Sequence, residues 1–390
     1  MRRVILIILD GVGIGYLPDA DKYNDVGSNT LGHLADYVGG FNLPNLETLG
    51  LGKIASLNGM SSDVVAKASF GKMQEVSAGK DSTTGHWEIA GLQLEKPFPT
   101  YPGGFPESII KEFEKRTGRK TIGNIAASGT EIIKQLGEEH LNTGKIIVYT
   151  SADSVFQIAV NIDLIALEEL YRYCEIAREI LSGEHAVARV IARPFHGKNA
   201  SEFERTKDRK DFSLQPFAAT IHQNIMKNGI PTVGIGKIND LYARFGIQKS
   251  VYTKTNDQGM DAILDEVNQS GPAFIMANLV DFDMLWGHRN DPDGFYQGLI
   301  SFDNWLPELQ KNLREEDLVM LTADHGNDPL YPGTDHTREY VPLLVFGEQF
   351  SENNNLGIRN TFADIQATIA EYMGVESTGT GISFLNQIFN

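Results

Sequence analysis

Cysteine is nearly absent from this 390-residue sequence, which contains only Cys174. A single cysteine cannot form an internal disulfide bond, and it cannot build a metal site from thiolate ligands. Long apolar runs are also missing. The run near the start of the sequence extends only from Val4 to Leu9 and ends at Asp10. Such a run is too short for a secretory signal or a membrane span. We therefore expect a protein of a reducing compartment, the cytoplasm.

Basic residues are few relative to acidic ones. The chain has 34 lysines and arginines against 51 aspartates and glutamates, and its formal net charge is -17. This balance repels phosphate backbones and anionic lipids, so we expect no nucleic-acid partner and no membrane partner. A small phosphorylated molecule stays compatible, because metal ions and a few arginines can reverse the local field. We expect such a small-molecule partner and a monomer or weak oligomer.

Apolar runs and helical patterns alternate along much of the chain. "VILIILDG" at 4–11 is typical of a strand buried on both faces of a parallel sheet. Later strand-like runs alternate with helical patterns, and these segments lie at 216–229, 273–283, 317–326, 341–347 and 361–374. The alternation predicts an α/β fold, with a doubly wound and mostly parallel sheet as its core.

The middle of the chain has a different composition. The segment 96–106 is rich in proline and glycine, which is typical of a loop or linker. From there to a highly charged stretch near 201–211, the sequence offers its own helical and strand-like patterns. We therefore predict two domains. Residues 1–97 and 216–390 form the metal-binding catalytic core, and residues 98–215 form a smaller inserted α/β cap domain for substrate recognition.

Residue types that bind metals follow several of the predicted strands. Three aspartates and three histidines share this placement: Asp10, Asp283, His288, Asp324, His325 and His336. Ligands of open α/β sheets bind beyond the carboxyl ends of the strands, so these side chains are expected to converge. Taken singly, a strand-end aspartate is more often a turn or helix cap, and a lone histidine is more often a surface residue. The repeated placement favours a metal site.

The number and chemistry of these side chains indicate two ions. Mixed carboxylate and imidazole ligands suit Mn²⁺ or Zn²⁺, and six ligands exceed what one tetrahedral zinc ion needs. Two ions can stabilise the attacking and leaving oxygens of a phosphoryl displacement, and one of them can activate a hydroxyl nucleophile. "KDSTTGHWE" at 80–88 offers Ser82, Thr83 and Thr84. Residue chemistry alone leaves the choice among these hydroxyls open.

Two other features have simpler interpretations. "GVGIG" at 11–15 does not match the spacing of a dinucleotide-binding loop and is interpreted as a tight turn. Lys237 follows a predicted strand, and two interpretations stay open: it faces the cleft, or it is an ordinary surface lysine, which is the more common case for this position.

Four motifs together resemble the alkaline phosphatase superfamily of metal-dependent phosphatases and mutases. They are "LDGVGIG", "KDSTTGHWE", "DFDMLWGHRND" and "TADHGNDP…GTDHTRE". The resemblance extends over essentially the whole chain and is closest to the phosphopentomutase branch. It implies one Mn²⁺ held by Asp283, His288 and His336. It implies a second Mn²⁺ held by Asp10, Asp324, His325 and the hydroxyl of Thr84, which is also the nucleophile of the family pattern.

The resemblance also implies a substrate and a reaction. Asp153, Arg193 and Arg205 match substrate-binding positions of the branch, although Arg209 is a rival to Arg205. The implied activity is phosphoryl transfer between the 1- and 5-positions of ribose or 2-deoxyribose through a phosphothreonine. Glucose 1,6-bisphosphate or a similar sugar bisphosphate is the implied activator. The alternative is another metal-dependent phosphatase or phosphomutase of the superfamily.

Overall fold

The structure is a computed structural model and describes residues 2–151 and 153–389. The chain divides into two compact units. The larger unit joins Met1–Lys96 with Pro216–Asn390, and the smaller unit is the intervening Pro97–Gln215. The catalytic and cap roles that the sequence suggests for these units stay predictions. No helix among the described residues is long and apolar enough to cross a membrane.

Among its described residues, the first part of the larger unit contributes two strands and four α-helices. They are β1 (Arg3–Leu9), α1 (Thr30–Tyr37), α2 (Pro44–Leu49), α3 (Leu51–Ile54), β2 (Ser69–Met73) and α4 (Ser82–Ile89). Every residue of β1 is buried, which explains its continuous apolar sequence. Asp81 is the N-cap of α4, and its side chain accepts hydrogen bonds from the backbone N–H groups of Thr83 and Thr84.

The smaller unit is built around one sheet with helices. Its elements are α5 (Glu107–Thr117), β3 (Thr121–Ala126), α6 (Gly129–Thr143), β4 (Ile146–Thr150), β5 (Val155–Asn161), α7 (Leu167–Ile180), β6 (Arg189–His196), β7 (Glu204–Arg205) and β8 (Lys210–Ser213). The strand order is β3-β4-β5-β6-β7, and β8 also pairs with β6. The unit has its own core, in which the rings of Phe105 and Phe113 pack edge-on against Phe156.

The chain then returns to the larger unit. The remaining elements are α8 (Ile221–Lys227), β9 (Thr232–Ile235), α9 (Ile238–Leu241), β10 (Lys249–Val251), α10 (Asn256–Val267), β11 (Ala273–Leu279), α11 (Pro292–Lys311), β12 (Asp317–Thr322), β13 (Val341–Phe346), β14 (Asn354–Arg359), α12 (Asp364–Met373) and α13 (Leu385–Ile388).

The larger unit contains an eight-stranded sheet of order β10-β9-β11-β1-β12-β13-β2-β14. β10, β9, β11, β1 and β12 are consecutive parallel neighbours, whereas β13 runs antiparallel to both β12 and β2. The predicted fold class, a mostly parallel α/β sheet, is confirmed. β1 lies between β11 and β12, so the residues that follow these three strands emerge at one edge of the sheet.

Candidate metal centre

The residues that follow β1, β11 and β12 meet because these strands are in register. Leu9 pairs with Leu279 on β11, and Ile8 pairs with Thr322 on β12. Asp10 and Asp324 therefore lie just past the same sheet edge. Asp283 follows β11 in a π-helical turn, Phe282–Trp286, a geometry frequent at functional sites. The pairing register of β1 with β11 and β12 therefore brings these aspartates close together, as the sequence predicts.

One cluster of potential ligands consists of Asp10, Asp324 and His325. One ligand atom from each lies within 4.8 Å of the others, and all three residues are buried. The Nε2 atom of His325 lies 3.4 Å from Asp10 Oδ1 and 3.3 Å from Asp324 Oδ2. Two carboxylates and one imidazole thus face one another in a site shielded from water.

A second cluster consists of Asp283, His325 and His336, again with ligand atoms within 4.8 Å of one another. The Nε2 atom of His336 lies 3.1 Å from Asp283 Oδ1. His288 joins this group, since its Nε2 atom lies 3.3 Å from Asp283 Oδ1 and 3.2 Å from His336 Nε2. His325 belongs to both clusters, so the two groups adjoin at this ring.

The electrostatics of the clusters fit divalent cations. Among the described residues, the buried atoms Asp10 Oδ1 and Asp324 Oδ2 accept no hydrogen bond of regular geometry, although histidine nitrogens lie 3.0 to 3.4 Å from them. Buried carboxylates need compensating positive charge, and a bound cation can supply it. Burial opposes protonation of His325, but the charges of Asp324, Asp10 and Asp283 outweigh it and raise the pKa of His325 to about 10. The clusters attract positive charge, which metal ions can supply.

The hydroxyl-rich segment reaches the clusters through the first turn of α4. Ser82 Oγ lies 3.2 Å from His325 Nε2, and the hydroxyl of Thr84 donates a 2.6 Å hydrogen bond to Asp81 Oδ2. A Cβ at Gly85 would overlap the backbone carbonyl of Asp324, so only glycine allows this close packing. Ser82 thus contacts the centre directly, and Thr84 lies in the same helical turn with its hydroxyl on Asp81. These contacts do not choose between the two hydroxyls.

Three further side chains contact the predicted ligands. Asn327 Nδ2 donates a 2.8 Å hydrogen bond to Asp283 Oδ1, and His86 Nδ1 lies 3.0 Å from Asp324 Oδ2. Lys237 Nζ lies 3.1 Å from Asp10 Oδ2, which favours the interpretation that this lysine faces the site over that of an ordinary surface lysine. Its position follows from the strand order, because β9 pairs with β11 and the residues after both strands emerge at the same sheet edge.

The smaller unit brings Arg193 and Arg205 near one buried hydroxyl. A Cβ at Gly129, the first residue of α6, would overlap both the Arg205 guanidinium and the hydroxyl of Tyr149. Burial raises the pKa of Tyr149, although the charges of Arg193, Arg205 and Arg209 oppose this. Burial lowers the pKa of Arg193, and the charges of Arg209 and Arg205 lower it further. Positive charge is therefore concentrated here.

The other predicted residues of this unit have different surroundings. Asp153 is exposed, and its Oδ2 atom lies 3.9 Å from Arg189 Nη2. Arg209 makes two 2.8 Å contacts with the carboxylate of Asp211. The guanidinium of Arg209 is already paired with this carboxylate. Arg209 is therefore less suited than Arg205 to bind an anionic substrate.

Comparisons with known proteins agree with this geometry. Residues 2–377 match the family model described as the metalloenzyme superfamily, so the fold and the centre belong to that class. The chain is 57% identical over 388 residues to a phosphopentomutase of Caldanaerobacter subterraneus, covering 100% of this chain and 98% of the relative. It is 55% identical to a phosphopentomutase of Carboxydothermus hydrogenoformans, with 100% of both chains covered. The chain belongs to the phosphopentomutase family, which confirms the resemblance inferred from its motifs.

A solved structure supports the fold alone. The phosphoglycerate mutase of Leishmania mexicana is 11% identical, covers 100% of this chain and 98% of its own, and superimposes with a TM-score of 0.51. The two chains thus share an architecture.

Proposed function

We propose that the chain is a phosphopentomutase that interconverts ribose 1-phosphate and ribose 5-phosphate, and the 2-deoxyribose equivalents, through a phosphothreonine at Thr84. Its family membership supports an isomerase that transfers a phosphoryl group within one molecule. The observation that carries the proposal is the pair of ligand clusters that share His325 beside the first turn of α4. The contact of Ser82 with His325, in the same helical turn as Thr84, supports a hydroxyl nucleophile beside two candidate metal positions.

The proposed metal ligands divide between two Mn²⁺ ions. Asp283, His288 and His336 would hold one ion, and the remaining ligands, Asp10, Thr84, Asp324 and His325, would hold the other. When bound, the ions supply stabilisation of the negative charge on the phosphoryl oxygens and on the nucleophile. The contacts of Asn327 with Asp283 and of His86 with Asp324 support the ligands, because outer partners orient metal-binding side chains.

Thr84 is proposed as the nucleophile because it matches the family pattern and is fully buried. Burial suits a phosphothreonine that must transfer its phosphoryl group to a sugar rather than to water. In the transfer, the bond between phosphorus and Thr84 Oγ1 breaks, a bond to the sugar oxygen forms, and the sugar hydroxyl proton leaves for Oγ1. The reverse transfer, from the other position of the bound bisphosphate, regenerates the phosphothreonine. A sugar bisphosphate such as glucose 1,6-bisphosphate would phosphorylate free Thr84.

The smaller unit is proposed to recognise the substrate. Arg193 and Arg205 would bind the phosphate that is not being transferred, and the hydroxyl of Tyr149 supports this assignment. That hydroxyl is buried and lies close enough to Arg193 to accept a hydrogen bond, and within the described residues it donates none. It lies with Arg205 against Gly129, at the positive end of the 15-residue helix α6. These groups leave a positive field and an unused donor, both of which a phosphate satisfies.

Asp153 is proposed to bind sugar hydroxyls, since an exposed carboxylate can accept their hydrogen bonds. We further propose that the chain acts in the cytoplasm as a monomer or weak oligomer.

The proposal is tested by following ribose 1-phosphate with Mn²⁺-loaded protein and a trace of glucose 1,6-bisphosphate. The reaction is stopped by chelation, and the products are separated by ion exchange. Ribose 5-phosphate without free phosphate is the expected result. Release of ribose and free phosphate would instead indicate a phosphatase of the same superfamily.

A further inference from the structure

Lys237 is placed at the metal centre by the turn that follows β9. Gly236 has a φ of 74°, and a Cβ on it would lie 2.5 Å from the carbonyl oxygen of Asn278 on β11. The position therefore favours glycine both for its left-handed backbone and for the missing side chain. The next residue, Lys237, is the N-cap of α9. The turn therefore fixes the backbone of Lys237 at the sheet edge where the proposed metal ligands lie.

The ammonium of Lys237 lies between ligands of different clusters. Its Nζ atom is 3.1 Å from Asp10 Oδ2 and 3.5 Å from Asp283 Oδ2. Asp10 belongs to one cluster and Asp283 to the other, and both carboxylates are buried. Each Oδ1 atom faces a histidine, whereas each Oδ2 atom faces the lysine. The charge of Lys237 therefore interacts with one proposed ligand of each metal ion.

We propose that Lys237 is a counter-ion built into the metal centre, which holds Asp10 and Asp283 together in the metal-free protein and competes with divalent cations for their carboxylates. The inference rests on the metal dependence of the proposed function. Without a cation, the two buried carboxylates repel each other, and the ammonium offsets this repulsion. An incoming divalent cation meets the same ammonium as a like charge, so loading requires the lysine to turn away.

The consequence is a lysine that stabilises the metal-free protein and weakens metal binding. If Lys237 only filled space, removing its charge would change neither the stability of the metal-free protein nor its affinity for metal. Lys237→Gln removes the charge and retains a polar side chain. Lys249→Gln is the matched control, because Lys249 pairs with Glu266 at a distance of 2.5 Å in the same unit but contacts no proposed ligand. Lys237→Arg retains the charge.

The test measures Mn²⁺ binding to the full chain after chelation and removal of all metal. Lys237→Gln is expected to bind Mn²⁺ at least about tenfold more tightly than the wild type, which corresponds to about 1.4 kcal/mol. Its metal-free form is expected to melt at a lower temperature, and its Tm should rise more on addition of Mn²⁺. Lys249→Gln and Lys237→Arg are expected to bind Mn²⁺ as the wild type does.

Equal or weaker Mn²⁺ binding by Lys237→Gln would overturn the inference. If this variant does not fold without metal, it is purified with Mn²⁺, and the rate of Mn²⁺ loss to a chelator is measured instead. Slower loss than in the wild type supports the inference, and equal or faster loss overturns it. A wild-type chain that binds no Mn²⁺ would contradict the proposed function itself, so the two failures are distinguishable.

Discussion

The two units of the chain differ sharply in charge. Residues 97–215 contain 16 lysines and arginines against 17 aspartates and glutamates, whereas the rest of the chain contains 18 against 34. The acidic unit holds the carboxylate and imidazole clusters, and the nearly neutral unit holds the arginines beside Tyr149. A single net charge of -17 conceals this division. The difference suggests that groups for holding cations and groups for holding anions are segregated by unit.

The largest expected effect comes from the nucleophile of the acidic unit. Thr84→Ala should lower both sugar phosphoryl transfer and hydrolysis of an aryl phosphate at least about 10⁴-fold, because removing a nucleophile removes the covalent route. Mn²⁺ binding should persist, since six side-chain ligands remain. Ser82→Ala is the control and should retain most of the activity. Loss of activity in Ser82→Ala with full activity in Thr84→Ala would assign the nucleophile to Ser82.

The next effect distinguishes the units directly. Arg205→Ala should raise the KM for ribose 1-phosphate about 10- to 100-fold, the range expected for a lost hydrogen bond to a charged group. Hydrolysis of an aryl phosphate, which has no second phosphate or sugar, should change little. Arg209→Ala is the control, because Arg209 already pairs with Asp211. An equal loss of both activities in Arg205→Ala would remove the smaller unit from substrate recognition.

The acidic unit should also couple metal binding to protons. The pKa of His325 is raised to about 10 in the metal-free protein, against an ordinary value of 6.5. The ring is therefore protonated below pH 10, and a metal ion must displace that proton. Between pH 7 and pH 9, Mn²⁺ affinity should rise about tenfold per pH unit for one released proton. Calorimetry in buffers of different ionisation enthalpy counts the protons, and a count of zero at pH 7.5 would contradict this.

The smallest effect is expected for the buried hydroxyl of the smaller unit. Tyr149→Phe should raise the KM for ribose 1-phosphate about two- to tenfold, as for the loss of one hydrogen bond, and leave kcat nearly unchanged. The folded state should lose at most about 1 kcal/mol, because the hydroxyl donates no hydrogen bond among the described residues and only accepts one from Arg193. Tyr173→Phe is the control, because Tyr173 lies in the other hydrophobic cluster of the same unit and its hydroxyl accepts a hydrogen bond from Arg119. An unchanged KM in Tyr149→Phe would exclude the hydroxyl from phosphate binding.

The sequence predicted the sheet and the ligand clusters because both depend on local patterns. The continuous apolar sequence of β1 predicts that the strand is buried, and Asp10 directly after it predicts a polar residue at the sheet edge where the strand ends. The roles of Lys237 and Tyr149 were not predicted. Lys237 acts through Asp10 and Asp283, which are distant in sequence, and only the strand order brings these residues together. Tyr149 shows its unused donor only when its surroundings are known.

The choice of hydroxyl shows a different limit. Ser82 and Thr84 lie in the same turn of α4, where Ser82 contacts His325 and Thr84 contacts the N-cap residue Asp81. Neither composition nor the contacts of the two hydroxyls separates them, because the separation depends on where the phosphoryl group lies during transfer. The family pattern favours Thr84.

The most direct test of the account locates the phosphoryl group on the enzyme. The Mn²⁺-loaded protein is incubated with glucose 1,6-bisphosphate that carries ³²P, and one portion is digested and mapped by mass spectrometry. A second, undigested portion is chased with ribose 1-phosphate. The account predicts label on Thr84 that passes into a ribose phosphate on the chase. Label on Ser82, or no label on a protein that still interconverts the two ribose phosphates, would contradict it.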